Sequence, residues 1–261
     1  MPKARRVLAG LLAAMLPWAC AAPQAEHAWL AAPPGAPAPA AYFGNLRDGD
    51  RIETPFVLRF GLTRAGLAPA TRPVPGAGHH HLLIDRDLPL DFRRPLPFDP
   101  QVLHLSEGQM ETVLTLRPGA HTLRLLLADD RHVPAFVYSK LLRVTVAAVN
   151  PALDPAGLVR PGVEILEPRA GEQRRGPFLL RMHASGLNVG HAEARGAGVG
   201  HFRIVAERAG APVERIALVR GQTEVWLAPP PGRYRLRLEL VANDDGATLA
   251  ASAPVEIVVA K

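Results

Sequence analysis

Hydrophobic and polar residues alternate in many short segments of this chain, whereas long segments with helical periodicity are scarce. Alternation of this kind is typical of strands that bury one face against a core. Frequent prolines and glycines separate the segments, as expected for turns. The first half of the chain is predicted to form seven strands, near residues 41–45, 56–62, 79–85, 101–105, 111–116, 121–128 and 138–146.

The alternating pattern occurs twice. GAGHHHLLID, from Gly76, aligns with GVGHFRIVAE, from Gly198, and the PFVLRF segment before the first aligns with PFLLRM before the second. Further along, GQMETVLTLRPGAHTLRLLLADD aligns with GQTEVWLAPPPGRYRLRLELVAND. The order and the approximate spacing of these segments are kept, which indicates a tandem repeat. We therefore predict a first domain at residues 41–148, a linker at 149–162 and a second domain at 163–261.

Seven short strands in about 100 residues predict an all-β fold, with each copy an immunoglobulin-like sandwich. A cupredoxin-like sandwich is the alternative. In the second copy, a Pro-Gly turn precedes a strand that begins at Tyr234. This position matches the tyrosine corner of immunoglobulin-like sandwiches, in which the hydroxyl closes back onto nearby backbone. His121 occupies the equivalent position of the first copy and is interpreted as a corner residue.

The first residues have the pattern of an export signal. A basic start leads into the apolar stretch VLAGLLAAML, and ACA then offers a cleavage site between small residues. We predict a signal peptide at residues 1–21 and a Pro/Ala-rich linker at 22–40, so the protein is expected to be periplasmic or secreted. Association with a membrane is expected only if cleavage falls just before Cys20 and this cysteine is lipidated.

Composition excludes several classes of function. Cys20 is the single cysteine, which excludes a disulfide framework and a thiolate copper site in the mature chain. Removing the three basic residues of the signal leaves 27 basic against 24 acidic residues, and the arginines are scattered, so nucleic-acid binding is not expected. No nucleophile elbow or phosphate loop is present. We predict no catalytic and no cofactor-binding residues, and metal-assisted hydrolysis stays an alternative.

The histidine triplet opens the third strand of the first copy. Alternation places His80 on the same face as Leu82 and Ile84, which is the predicted core face, so His79 and His81 point the other way. In the sandwich topology, the connections after strands two, four and six meet at one end, where the triplet opens strand three. His104, near the end of strand four, and His132, after strand six, are expected to approach the triplet there.

Imidazole is a good ligand for copper and zinc, and several imidazoles positioned by one sheet can complete a coordination sphere. The second copy keeps the core pattern but has lost most of these histidines, which indicates that they are not needed for the fold. A weaker second site at His183, His191 and His201 is an alternative. The predicted metal ligands of the first copy are His79, His80, His81, His104, His132 and Asp129.

These segments resemble the bacterial secreted domain of unknown function 4399 family. The resemblance is carried by GHHHLLID, His104, GQMETVLTLRPGAHTLRLLLAD and the HVP that begins at His132, over residues 43–146. The second copy matches only in its framework and looks like a degenerate member. Met110 departs from the family pattern, in which a threonine is usual, whereas Thr223 keeps it. The resemblance implies an exported β domain and brings no established activity.

Two functions follow from these patterns. The first is a periplasmic protein that binds copper or zinc through the histidine cluster of its first domain. The second is a metal-independent module that binds an envelope protein or a polysaccharide through its loops, which is a fold-level analogy. Only 5% of the residues are aromatic, so a stacking surface for sugars is poorly supplied.

Overall fold

The computed structural model describes residues 27–71, 73–89 and 91–261, and the predicted signal peptide lies outside them. These residues form β-strands and one 3₁₀ helix, Pro155–Gly157, which lies between the two copies. A helix long and apolar enough to cross a membrane is not found in this part of the chain. The predicted all-β fold is confirmed.

The first copy is a sandwich of two sheets. Its small sheet has the strand order β2-β4-β8, and its large sheet has the order β3-β11-β9-β6-β5, with β7 paired to β6 and β10 paired to β9. A short strand, β1 (Leu30–Ala31), precedes the sandwich. The strands of the first copy are β2 (Ala40–Phe43), β3 (Arg51–Thr54), β4 (Phe56–Thr63), β5 (Gly66–Leu67), β6 (Ala77–Ile84), β7 (Val102–Leu105), β8 (Glu111–Leu114), β9 (Gly119–Ala128), β10 (Pro134–Tyr138) and β11 (Leu142–Val149).

The second copy repeats this architecture. Its large sheet has the order β13-β21-β19-β16-β15, with β17 paired to β16 and β20 paired to β19, and its small sheet is β12-β14-β18 with β1 added beside β18. Both copies are therefore immunoglobulin-like sandwiches. The strands are β12 (Gly162–Glu167), β13 (Gln173–Arg175), β14 (Phe178–Ser185), β15 (Asn188–Val189), β16 (Val199–Glu207), β17 (Glu214–Ala217), β18 (Glu224–Leu227), β19 (Gly232–Ala242), β20 (Thr248–Ala251) and β21 (Val255–Ala260).

Strand alternation accounts for the core. In β9 of the first copy, Leu123, Leu125 and Leu127 point inward, and in β4 Leu58 and Phe60 face them from the small sheet; all five are buried. Burying such aliphatic and aromatic side chains contributes about 1.5–3 kcal/mol each. The inward residues of the two copies form one continuous apolar cluster, so the sandwiches share a core across their contact.

The predicted corner is present in both copies. The Tyr234 hydroxyl donates to the carbonyl oxygen of Pro230, four residues earlier, at 2.7 Å. The ring of His121 makes the equivalent bond through Nε2 to the carbonyl oxygen of Arg117 at 2.8 Å, while its Nδ1 lies 2.7 Å from Asp85. Burial lowers the pKa of His121, but the hydrogen bonds to the Asp85 carboxylate and the Arg117 carbonyl outweigh it and raise this pKa above its usual value.

The two copies meet through equivalent surfaces, related by an approximate two-fold axis. The Val189 N–H donates to the Gly108 carbonyl at 2.9 Å, and the Leu67 N–H donates to the Gly221 carbonyl at 2.8 Å. Both glycines have positive φ, and a Cβ on either one would lie only about 2 Å from a carbonyl oxygen of the other copy. Only glycine fits such a position, which explains why the GQ turn is kept in both copies.

Two acidic residues repeat the symmetry of the contact. Glu111 accepts a hydrogen bond from the Ser185 hydroxyl at 2.6 Å, and its counterpart Glu224 accepts one from the Thr63 hydroxyl at 2.8 Å. The symmetry is broken at the residue that precedes each of these glutamates. The Thr223 hydroxyl lies 2.7 Å from the Leu62 backbone nitrogen across the contact, whereas its counterpart, the family-atypical methionine of the first copy, is buried in the core.

Part of the predicted Pro/Ala linker packs on the second copy. Leu30 and Ala31 pair with Leu227 and Trp226 of β18, and the Trp29 ring lies 5.6 Å from the Tyr234 ring in an edge-to-face arrangement. The sequence pattern did not indicate this contact, because two residues are too few to show strand alternation.

Candidate metal centre

The histidine triplet lies within strand β6, and all three of its side chains are buried. Alternation directs His80 into the core of the sandwich, where its ring packs edge-to-face on Phe60 at 4.8 Å. His79 and His81 lie on the opposite, outer face of the large sheet. Residues 91–101 and the turn after β9 cover this face, so His79 and His81 are shielded from water although they point away from the sandwich core.

Four imidazole nitrogens converge on the outer face. His81 Nε2 lies 3.0 Å from His104 Nδ1 and 3.3 Å from His132 Nδ1, and the latter two are 3.2 Å apart. His79 Nε2 lies 3.0 Å from His132 Nδ1. Nitrogen atoms of His79, His81 and His132 all lie within 4.8 Å of one another, a spacing that a single metal ion can bridge.

Three separate segments supply these ligand atoms. His81 and His104 are opposite each other in the antiparallel pair β6–β7, and His79 is opposite Ala128 at the end of β9. A tight turn after β9 then brings back His132, which has a positive φ of 61° that non-glycine residues seldom adopt. The Asp129 carboxylate holds this turn by accepting the backbone N–H groups of Arg131 and Val133, each at 2.9 Å.

The contacts of His104 fix its protonation. Its Nε2 lies 3.0 Å from the Pro97 carbonyl oxygen, which can only accept, so Nε2 carries the proton. Nδ1 of the neutral ring is then a bare lone pair aimed at His81 and His132. A carbonyl partner of this kind is common for histidines that bind metals. The outer Nδ1 atoms of His79 and His81 are buried without a hydrogen-bond partner among the described residues.

Burial keeps His79 and His81 uncharged at neutral pH. It lowers the pKa of His79 to about 4 and that of His81 to about 2, and the neighbouring imidazoles add to both effects. The pKa of His132 is lowered for the same reasons. The neutral imidazole is the form that binds metal ions.

The donor set fits a metal ion better than it fits hydrogen bonds alone. An imidazole N–H points at one acceptor, whereas the nitrogens of His81, His104 and His132 form a closed triangle with sides of 3.0–3.3 Å. A cation at the centre would accept all of the lone pairs at once. A tetrahedral site with metal–nitrogen bonds of about 2.0–2.1 Å has nitrogen–nitrogen edges of roughly 3.3–3.4 Å, close to these sides.

Two further predicted ligands are not brought to the cluster. His80 points into the core from the other face of β6, because successive side chains of a strand alternate. Asp129 acts through its charge on His79 and through the turn it holds, and its Oδ1 is already taken by two backbone N–H groups. Both assignments are therefore corrected to supporting positions.

The second-copy histidines do not form a site in the described part of the chain. His183 Nε2 lies 3.0 Å from the Glu111 carboxylate at the contact between the copies. His201 Nδ1 lies 2.8 Å from the side chain of Asn243, and His191 Nδ1 accepts the backbone N–H of Glu193. Each ring has its own local partner, so the alternative of a second cluster is not supported.

Sequence reasoning missed the aromatic ring that covers the centre. The Phe98 ring stacks on His104 at 3.9 Å with an interplanar angle of 11°, and lies edge-on to His132 at 5.0 Å. Its other face is open to solvent, and the side chain is 75% exposed. Phe98 belongs to a proline-rich connection without periodicity, so no pattern could assign it to a face. The one sequence signal for its role was the presence of an aromatic residue in an otherwise proline-rich connection.

His80 supports a test of the fold. Both of its ring nitrogens are buried without a hydrogen-bond partner in the described structure, which costs about 1–3 kcal/mol. The second copy has the fully buried Phe202 at this position. We expect His80→Phe to raise the free energy of unfolding at neutral pH by about 1 kcal/mol, as measured by urea denaturation. Destabilisation instead would mean that the larger ring does not fit against Phe60.

Fold and site together define a two-domain immunoglobulin-like sandwich protein with a buried histidine cluster that could hold a metal ion. The chain belongs to the family described as Domain of unknown function (DUF4399), whose model matches residues 58–147 and 180–260. Both copies are thus members, as the resemblance implied. No curated protein matches the chain.

Solved structures with some likeness to the chain include fibronectin(III)-like modules of Clostridium thermocellum CbhA. They are 13% identical over 84% of this chain and 93% of theirs, with a TM-score of 0.27. The FN1-FN3 domains of chicken CNTN1 are 11% identical over 85% and 67%, with a TM-score of 0.25. Dimeric latent PorU from Porphyromonas gingivalis is 15% identical over 85% and 20%, with a TM-score of 0.28. Likeness at this level carries no information on function.

Proposed function

We propose that this protein is an exported zinc-binding protein, and that its first domain holds one zinc ion through His79, His81, His104 and His132. The observation that carries the proposal is the convergence of four imidazole nitrogens, with contacts of 3.0–3.3 Å, from three segments distant in sequence. Nitrogen ligands in a rigid, partly dry setting suit a borderline ion such as zinc.

The shape of the cluster favours zinc over Cu(II). Cu(II) prefers a square arrangement, in which any three ligands include one pair on opposite sides of the metal, about 4 Å apart for bonds of about 2.0 Å. The triangle of His81, His104 and His132 has no such long side. A tetrahedral face does have three similar edges. Zinc, which has no geometric preference of its own, accepts such a face.

The cluster is suited to holding zinc rather than to catalysis. Four protein ligands complete a tetrahedral sphere, whereas catalytic zinc sites keep one position open for water or substrate. His79 and His81 are fully buried, and the more exposed side of the cluster is closed by the Phe98 ring. A protein with such a closed coordination sphere would store the ion, deliver it or use it to stabilise the fold.

The test is metal content and titration of the chain expressed from Ala22 without a tag. We expect one zinc per chain and tight binding that weakens as the pH falls, because protons compete for the imidazoles. Since Cu(II) binds most nitrogen sites more tightly than zinc does, affinity alone does not decide between them. Co(II) used as a probe should give the intense visible absorption of a tetrahedral site, and weak octahedral absorption would contradict the geometry.

The proposal of export rests on residues 1–21. Expression of the full chain in a bacterial host should give a processed form in the periplasmic fraction, with its new N-terminus identified by mass spectrometry. Cys20→Ala separates the two routes, because only a lipoprotein needs this cysteine. A full-length chain retained in the cytoplasm would refute export.

A second candidate function is metal-independent binding of an envelope protein or a polysaccharide. The observation in its favour is a stacked pair of rings 4.6 Å apart, in which Phe92 is half-buried and Phe136 is 77% exposed. Retention on immobilised polysaccharides in the presence of a chelator, lost in Phe136→Ala, would support this function. Elution of both proteins in the void volume would count against a sugar ligand.

A further inference from the structure

We propose that residues 91–101, called the cover segment below, close over the outer face of the large sheet only when the histidine cluster holds its metal. The inference rests on the proposed zinc site and adds a regulatory consequence to it. Occupancy of the site would then decide whether an apolar surface of the first domain is covered or open.

The metal-ligating residues themselves hold the cover segment. The Leu96 N–H donates to the His132 carbonyl at 2.9 Å, and the protonated Nε2 of His104 donates to the Pro97 carbonyl at 3.0 Å. The Phe98 ring stacks on the His104 ring at 3.9 Å. Three consecutive residues of the segment are thus attached to two ligands, and any movement of His104 or His132 moves the segment.

A bound metal ion would stabilise the positions that His104 and His132 occupy in the closed arrangement. His132 lies in a turn with positive φ, a conformation that costs a non-glycine residue free energy unless other contacts hold it. Without a cation, each N–H of these rings can reach only one acceptor, so hydrogen bonds cannot satisfy all three contacts among His81, His104 and His132 at once. A bound metal ion would hold the three nitrogens together, so the arrangement that anchors the cover segment is favoured by occupancy.

The other attachments of the segment lie towards its two ends. Near the N-terminal end, the Phe92 ring stacks on the Phe136 ring at 4.6 Å. Near the C-terminal end, Asp99 pairs with Arg86 at 2.5 Å, and the Gln101 side chain donates to the Asp85 carbonyl at 2.9 Å. The ion pair is partly exposed and contributes little to stability. These contacts keep the ends of the segment near the sheet while its middle opens, so opening does not require the sandwich to unfold.

Opening would expose an apolar surface. Leu96 packs with Leu83, Val102, Leu126 and Ala128 in a cluster separate from the sandwich core, with Leu88 and Phe92 at its margin. The cluster lies on the outer face of β6 and β9, where the second copy has Arg203 and Glu239 paired across the strands instead. The apolar Leu126 thus stands in the first copy where the second copy has Glu239, so the apolar part of the outer face is peculiar to the copy that carries the histidines.

Limited proteolysis with trypsin tests the inference on the mature chain, with and without one equivalent of zinc. The Arg93 side chain lies in the cover segment and is 91% exposed, but cleavage of its peptide bond requires local opening. We expect zinc to slow cleavage after Arg93 by roughly five- to 150-fold, the range that typical coupling free energies produce. Cleavage after Arg208, in a turn of the second copy, is the internal control and should not change.

The outcomes separate this inference from the zinc site. One zinc bound per chain with unchanged cleavage after Arg93 would overturn the cover, while the site would stand. Absence of bound zinc would overturn both. Equal protection at Arg93 and Arg208 would indicate global stabilisation by the ligand, and would also overturn the cover.

Phe98→Ala provides a second reading, because it removes the stack on His104 and keeps all four ligands. By reciprocity of coupling, the variant should bind zinc with a raised dissociation constant and show several-fold less protection at Arg93. Leu249→Ala is the matched control, a partly exposed apolar residue of the second copy. Full protection of the Phe98→Ala variant would overturn the role of the ring as an anchor.

Discussion

The His81→Ala variant is expected to bind zinc at least about a hundredfold more weakly than the unchanged protein. Even residues that only support a metal ligand contribute 10- to 100-fold to affinity, and His81 Nε2 contacts two of the other ligand nitrogens directly. Competition titration against a chromophoric chelator at neutral pH measures the change. Circular dichroism shows whether the variant keeps its fold, since removing a buried ring leaves a cavity.

Two further variants make this result specific. His104→Ala should cause a loss of similar size at less cost to the fold, because this ring is only half-buried. His201→Ala is the matched control, since His201 is the second-copy counterpart of His79 and bonds to Asn243. Unchanged affinity in His81→Ala, or an equal loss in His201→Ala, would refute the assignment of the site to the first domain.

The second large effect is a steep loss of stability of the metal-free protein in acid. Burial lowers the pKa of His79 to about 4, of His80 to about 3 and of His81 to about 2, each from 6.5 in the unfolded chain. Below pH 6.5 the unfolded chain therefore binds protons that the folded chain does not. Stability that is present at neutral pH is lost as the pH falls from 6.5 towards about 4.

The steepness follows from the number of protons. Three histidines that are neutral in the fold and charged in the unfolded chain give a slope of roughly 4 kcal/mol per pH unit at its steepest. Urea denaturation of the chelator-treated protein at several pH values measures it. In the His80→Phe variant one of the three protons is absent, so the slope should fall by roughly a third. A stability that is flat between pH 6.5 and 4.5 would contradict the burial of these rings.

His121 acts in the opposite direction and can be separated by the pH window. Its pKa is raised, so its contribution to stability is complete below 6.5 and is lost as the pH rises through its folded value. Zinc should restore the stability lost between pH 6.5 and 4.5 only as long as it outcompetes protons for the other histidines. The buried histidines change stability below pH 6.5 and His121 changes it above pH 6.5, so the two contributions do not overlap.

The fold was predictable because its signals are local and repeated. Alternating segments such as β6 and β9 identify strands without any knowledge of the structure. The segments that begin with GAGH or GVGH, and those that begin with GQ, occur twice and so divide the chain into two copies. The strands β3, β5 and β10 were not predicted, and the two residues of β5 leave no period to detect. The glycines of the GQ turn were visible as repeated residues, but their reason lies in the approach of a carbonyl from the other copy.

The sequence by itself determined which histidines could act together. Period-two alternation separates His79 and His81 from His80, and the loss of imidazoles in the second copy indicates that the fold does not need them. The tertiary structure alone decided three things: that His104 is opposite His81, that the turn held by Asp129 returns His132, and that Phe98 closes the cluster. Register, turn conformation and the path of an aperiodic connection depend on contacts between segments distant along the chain, and no local pattern encodes those contacts.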